Sequence, residues 1–144
     1  MRGWRALVEN YSHLLAALES DLAPHGLSLG DYEVLVRLSE TPDHALRMCD
    51  LAELLGLSPS GLTRRLDGLV RSGFVQRSPS GSDRRVMNAT ITEAGFAALE
   101  RAAPAHVASV RHHLVDRLSQ EQMETLGDIF VTIGEALRRP STAA

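Results

Sequence analysis

Residues 50–85 read DLAELLGLSPSGLTRRLDGLVRSGFVQRSPSGSDRR, and this stretch decides the fold. Leu51, Leu54 and Leu55 fall on one face of a short helix. Gly56 follows, the residue type that closes a helix in a left-handed conformation without steric cost. Leu57 leads into Ser58-Pro59, where the serine hydroxyl suits a helix N-cap and proline suits the first helical position. Leu62, Leu66, Leu69 and Val70 then repeat at helical spacing until Gly73, and Phe74-Val75 opens an extended run. Two short helices joined by a glycine-containing turn predict a helix-turn-helix motif, followed by a two-stranded ribbon with an arginine-rich tip.

The exposed face of the second helix carries Ser60, Gly61, Thr63, Arg64 and Arg65. Arginine bonds guanine bidentately, hydroxyls serve phosphates or bases, and glycine lets the backbone approach closely. A plain solvated face would carry ordinary charges, but here the charge is concentrated. Residues 58–85 hold six arginines and two aspartates, a net of +4 in a chain of net −3, so the remainder sums to −7. A basic patch on an acidic protein is an electrostatic footprint for nucleic acid.

The 144 residues are one domain's worth, enough for a hydrophobic core. All fifteen basic residues are arginine. The single Cys49 excludes an intrachain disulfide and a cysteine-rich zinc site. No stretch approaches the ~20 apolar residues of a membrane span, and the N-terminal MRGWRALVENY lacks a signal-peptide core, so a cytoplasmic location without membrane association is expected. No cofactor motif is present. The glycines are scattered caps and turns, Gly56-Leu57-Ser58-Pro59-Ser60 lacks the second glycine of a nucleophile elbow, and no paired carboxylates converge, so no enzyme is expected.

Elsewhere, residues 4–22 give a broad helical stripe (Trp4, Leu7, Val8, Tyr11, Leu14, Leu15, Leu18, Leu22) that Pro24-His25-Gly26 ends. Ser28 and Asp31 form a capping box for a helix running to about Ser39. Leu46-Arg47-Met48 is a short extended piece. Phe74–Ser78 and Val86–Ile91 are strands joined by Pro79-Ser80-Gly81-Ser82. Thr92 caps a long helix to about Leu118, in which Pro104 predicts a bend or break. Ser119 and Gln122 cap a last helix, and Arg138-Arg139-Pro140 ends the order. The predicted fold class is mainly α (α+β), a winged helix-turn-helix with a two-stranded wing and flanking helices. The first and last two helices have wide apolar stripes and no sheet to cover, so a second copy of the chain is the expected partner, matching a palindromic DNA site.

This order of elements resembles the MarR family of winged-helix transcription regulators over about residues 4–138. The most specific match is the wing signature, Asp-x-Arg then a hydrophobic strand then Ile-Thr-x-x-Gly, here Asp83-Arg84-Arg85-Val86-Met87-Asn88-Ala89-Thr90-Ile91-Thr92-Glu93-Ala94-Gly95. The helix-turn-helix, LAELLGLSPSGLTRRLDGLVRSGFVQR, is the second. The resemblance implies a single domain over 1–144, with 24–103 as the DNA-binding lobe and 1–23 and 104–144 as dimerisation helices. It implies that Arg85 enters a minor groove and is oriented by Asp83, that Arg84 and Arg77 meet phosphate, and that Ser58, Ser60, Gly61, Thr63, Arg64 and Arg65 work at the major groove. Gly61 departs from the family, which often has a larger residue there.

The resemblance further implies a homodimeric repressor of a pseudo-palindromic operator in double-stranded DNA, released by a small aromatic or phenolic effector bound near Trp4, Tyr11, His13, Tyr32 and Val36. The residues leave alternatives. His106 and His113 are seven apart on one helix, not at the i,i+4 spacing of a helical zinc pair, so no metal site is expected. Cys49 at a helix start would be the redox candidate. A metal- or redox-responsive regulator, or a winged-helix protein-interaction module, are the alternative functions.

Overall fold

The computed structural model describes residues 1–81 and 83–138, with backbone alone for Asp83, Arg84 and Arg138. The order is α1 (Arg2–Leu22), α2 (Leu29–Ser39), β1 (Ala45–Arg47), α3 (Met48–Leu54), α4 (Pro59–Arg71), β2 (Val75–Ser80), β3 (Asp83–Ile91), α5 (Glu93–His113) and α6 (Gln120–Arg138). Single 3-10 turns follow α1 and α5 at Ala23–His25 and Val115–Arg117.

Local chemistry sets these boundaries. At α2, Asp31 N donates to Ser28 Oγ at 3.0 Å while Ser28 N donates to Asp31 Oδ2 at 3.2 Å, which is the capping box expected. Ser58 caps α4 through Gly61 N at 3.1 Å, with Pro59 at the first turn. At α6, Ser119 N donates to Gln122 Oε1 at 2.8 Å and Gln122 N to Ser119 Oγ at 3.2 Å. Gly56 and Gly73 close α3 and α4 at φ 63° and 74°, a region that a side chain would penalise.

The sheet is antiparallel in the order β1-β3-β2, so the predicted two-stranded wing shares its base with a third short strand. Ala45 pairs with Thr90 and Arg47 with Asn88, while Val75 pairs with Ile91 and Pro79 with Met87. Both wing strands run further towards the tip than expected, through Pro79 and Ser80 on one side and from Asp83 on the other, with a register shift between Pro79 and Ser80. Proline is tolerated there because β2 is an edge strand. Ser82, in the predicted turn, and Arg139-Pro140 lie outside the described residues.

The core sits between α2, α3, α4, the sheet and α5. Leu22, Val34, Leu35, Leu38, Leu51, Leu62, Leu66 and Val75 are fully buried. Leu54, expected on the inner face of α3, is exposed, as Leu51 and Ala52 supply the buried contacts of that short helix. Val70 is also exposed in the single chain.

Two expectations for α5 need correction. The helix runs unbroken through Pro104. Proline removes a bond to the carbonyl of Glu100, and both residues lie on the exposed side, where water solvates that carbonyl. Buried Ala98, Leu99 and Ala102 before the proline and buried Ser109 after it anchor both halves, so the chain does not break there. The helix also stops at His113 rather than Leu118. Arg111 Nη2 bonds Asp116 at 2.7 Å and Arg117 Nε donates to His112 O at 2.9 Å, which favours a corner over another helical turn.

The start of α5 is locked to the turn after α4. Thr92 N donates to Phe74 O at 3.0 Å, Thr92 Oγ1 donates to Gly73 O at 2.6 Å, and Gly95 N donates back to Thr92 Oγ1 at 3.1 Å. A Cβ on Gly95 would stand 2.2 Å from Phe74 O and 2.8 Å from Ile91 Cγ1. Gly95→Ala is therefore expected to lose stability. The overpacking costs about 1–3 kcal/mol, against the ~1 kcal/mol of helix propensity that alanine gains. Gly68→Ala in α4, with nothing within 4 Å, is the control and should raise the melting temperature. Thermal melts in which Gly95→Ala matches or exceeds the parent would contradict this packing.

His106 on α5 stacks on buried Tyr32 of α2 with centroids 4.3 Å apart. Its Nδ1 is enclosed without a partner among the described residues. Burial lowers the His106 pKa from the ordinary imidazole value of about 6.5. The unfolded chain then binds more protons than the folded one between that value and the lowered one. The contribution from neutral His106 is present above about pH 6.5 and is lost as pH falls through this window. His106→Phe keeps the stack without the titration, so its melting temperature should gain on the parent between pH 7 and 5. A difference independent of pH would contradict the assignment.

Candidate nucleic-acid interface

The residues singled out for DNA binding fall into three groups. The first is an exposed edge at the start of α4, where Ser58, Ser60, Thr63 and Arg64 are all solvent-facing. Ser58 Oγ lies 3.3 Å from Ser60 Oγ while capping the helix, and Thr63 Oγ1 donates to Pro59 O at 2.9 Å. All three hydroxyls of this edge thus make local hydrogen bonds while remaining exposed, beside exposed Arg64. Gly61 is narrow for a reason that the chain alone suggests only in part: a Cβ would lie 3.1 Å from the capping Ser58 Oγ.

The second group is the wing. Arg85 is exposed on β3 and shares the wall of a cleft of about 390 Å³ with Met48, Cys49, Pro59, Thr63 and Met87. Helix edge and wing base therefore border one groove. The side chains of Asp83 and Arg84 lie outside the described residues, as does the expected orienting ion pair from Asp83. Cys49 is exposed and its thiol donates to Asp50 Oδ1 at 3.3 Å.

The third group points elsewhere. Arg65 is half-buried and reaches across to α2, so close that a Cβ on Gly30 would collide with its guanidinium. It lines a groove of about 600 Å³ with Tyr11, Glu19, Gly30 and Glu33, on the side of α4 that faces α1 and α2. It therefore stands apart from the α4 edge that carries Ser60, Thr63 and Arg64. Adjacent residues on a helix point about 100° apart, so Arg64 and Arg65 cannot share one face. Arg77 likewise turns inwards: its Nη2 bonds Asp67 Oδ1 at 2.6 Å and Thr63 O at 3.1 Å. The sequence reading missed Asp67. Its signal was the i,i+4 spacing to Thr63 on the side of α4 that meets β2.

The effector candidates do not converge within one chain. Tyr11 and His13 line a groove of about 550 Å³ with Leu114, Leu126 and Phe130, between α1 and the α5–α6 end. Tyr32 and Val36 line a separate hollow of about 430 Å³ beside His106. Trp4 lines neither and is 65% exposed. The histidines are also divided. His113 Nε2 lies 3.1 Å from Asp21 Oδ2, which also accepts from buried Ser109 at 2.6 Å. These two hydrogen bonds, the Ser109 hydroxyl first, hold the Asp21 carboxyl below its usual range. Among the described residues no three His, Cys, Asp or Glu gather as metal ligands.

Comparison with known proteins gives the same picture. The model of the MarR family matches residues 27–87. The chain is 33% identical to the HTH-type transcriptional repressor YetL of Bacillus subtilis over 116 residues, 78% of this chain and 70% of that protein. It is similar to the crystal structure of AbsC, a MarR family transcriptional regulator from Streptomyces coelicolor, with TM-score 0.90, 39% identity and coverage of 96% of this chain and 93% of that one. Sco3205, a MarR family regulator from the same organism solved in complex with DNA, superimposes with TM-score 0.91 at 36% identity, over 98% of this chain and 89% of the other. The chain belongs to the MarR family of winged helix-turn-helix transcription regulators, which are DNA-binding proteins and not enzymes.

Proposed function

We propose that the protein is a cytoplasmic, homodimeric repressor that reads a pseudo-palindromic operator and is released by a small aromatic or phenolic effector. The observation that carries the DNA reading is the shared groove of the α4 edge and Arg85. In this reading Ser60, Thr63 and Arg64 work in a major groove, and Arg85, held by Asp83 and followed by Arg84, enters the flanking minor groove. A narrow, electronegative minor groove attracts an inserted arginine and is read by its shape. That two relatives are a repressor and a DNA-bound regulator supports this.

Unburied apolar surface supports the dimer. No residue of α6 from 120 to 137 is buried, although Ile129, Phe130, Val131, Ile133 and Leu137 lie along it. Residues 2–13 of α1 are all exposed, with Trp4, Leu7, Val8 and Tyr11 among them. An isolated amphipathic helix is marginal in water, so such faces need a partner. A second copy, paired through residues 1–23 and 104–144, supplies identical apolar faces. Two lobes (24–103) would then present their α4 helices to half-sites about one helical turn, ~10 bp, apart. The groove at Tyr11 and His13 borders the same helices. An effector there would act by favouring a spacing of the two α4 helices that no longer fits adjacent grooves. No helix among the described residues is long and apolar enough to cross a membrane.

The test selects genomic fragments with purified protein and titrates them at several salt concentrations. A palindromic fragment should be bound ~10³-fold or more above random DNA. Arg85→Ala should weaken that binding by about 1–3 kcal/mol with little change in melting temperature, and Arg64→Ala should also alter the preferred sequence. Equal binding to all fragments would move the function to a protein-interaction role. Unchanged affinity and salt dependence in Arg85→Ala would remove the wing from the reading.

A further inference from the structure

Arg77 stands at the base of the wing, opposite Ala89 in the ladder, where an arginine would ordinarily be assigned to a phosphate. Its geometry says otherwise. Nη2 bonds the carboxylate of Asp67 at 2.6 Å and the backbone carbonyl of Thr63 at 3.1 Å. Both acceptors belong to α4, one turn apart, and the donor belongs to β2. The Arg77 side chain is only 25% exposed, whereas Asp67 is 52% exposed. One nitrogen thus ties α4, which lines the groove, to β2, the wing strand paired with the β3 residues on its other wall, and the Thr63 it grips by the backbone presents its side chain at that groove.

We propose that Arg77 and Asp67 are positioning residues that brace the recognition helix against the wing, so that Thr63, Arg64 and Arg85 meet DNA at one set angle. Asp67 has a second property that makes the idea sharp. It is a negative charge beside a surface that binds a polyanion. If it served no purpose there, removing its charge would strengthen DNA binding through reduced repulsion. The brace predicts the opposite sign. An arginine on phosphate would contribute to the salt dependence of binding, at a slope of about 0.9 per phosphate neutralised. A brace contributes nothing to that slope.

The experiment compares Asp67→Asn, Arg77→Gln and the double variant in full-length protein, using the selected fragment and random duplex of equal length as probes. Melting temperatures are taken first, and Asp67→Asn, which is isosteric and partly exposed, carries the test if Arg77→Gln fails to fold. The expected result is that Asp67→Asn and Arg77→Gln each weaken binding to the selected fragment about tenfold. The double variant should bind no worse than either single one. The salt slope should stay at the parent value, and random duplex should be bound as before. Asp67→Glu, which keeps the carboxylate, should recover part of the loss. Tighter or unchanged binding by Asp67→Asn overturns the proposal. So does a slope reduced by about 0.9 in Arg77→Gln alone, which would make Arg77 a phosphate ligand.

Discussion

The junction where α4 ends, the wing begins and α5 starts is the constraint on which the rest depends. Gly73 turns the chain with a positive φ, and Thr92 accepts and donates around that turn. Gly95 leaves just enough room for Phe74 O to enter the first turn of α5. Three elements are thereby tied within a few residues: α4, the ribbon beside it and the long helix that leaves the lobe. Phe74 is half-buried, and leaving its carbonyl without the Thr92 N–H would cost about 1–3 kcal/mol.

From that junction α5 carries the lobe to the other half of the molecule. Its first half packs on the core through Ala98, Leu99 and Ala102, and its second half meets α1 through Ser109, His113 and Asp21. A rigid helix anchored at both ends moves as a rod. A change in how α1 and α6 are packed would therefore shift the lobe as a body, which is the kind of motion that interface rearrangements produce. Arg65 lies where such a shift would be felt, between α4 and the α1–α2 groove.

Much of this was legible in the chain because local signals act within four residues. The caps at Ser28, Ser58, Thr92 and Ser119 sit where their hydroxyls meet a free backbone N–H. The glycines with positive φ at positions 56 and 73 mark the turns as expected. What the chain concealed depends on partners distant in sequence. The neighbours of Arg65 and Arg77 are of this kind, since Gly30 and Asp67 come beside them only through the fold. Pro104 looks like a break until the packing on either side is seen to carry the helix through it. The effector candidates lie on one helical pair in sequence, but Tyr11 and His13 open onto one hollow, Tyr32 and Val36 onto another and Trp4 onto neither, since α1 and α2 present them on different sides.

The central claim is that two such lobes, paired through α1 and α6, engage DNA with helix and wing together. Footprinting of the selected fragment tests it most directly, with guanine N7 methylation reporting the major groove and hydroxyl radicals the minor groove. The account predicts two major-groove protections centred ~10 bp apart, each flanked on its outer side by a minor-groove protection, at two chains per fragment. Protection of one half-site by a single chain, or major-groove protection with no flanking minor-groove signal, would contradict it.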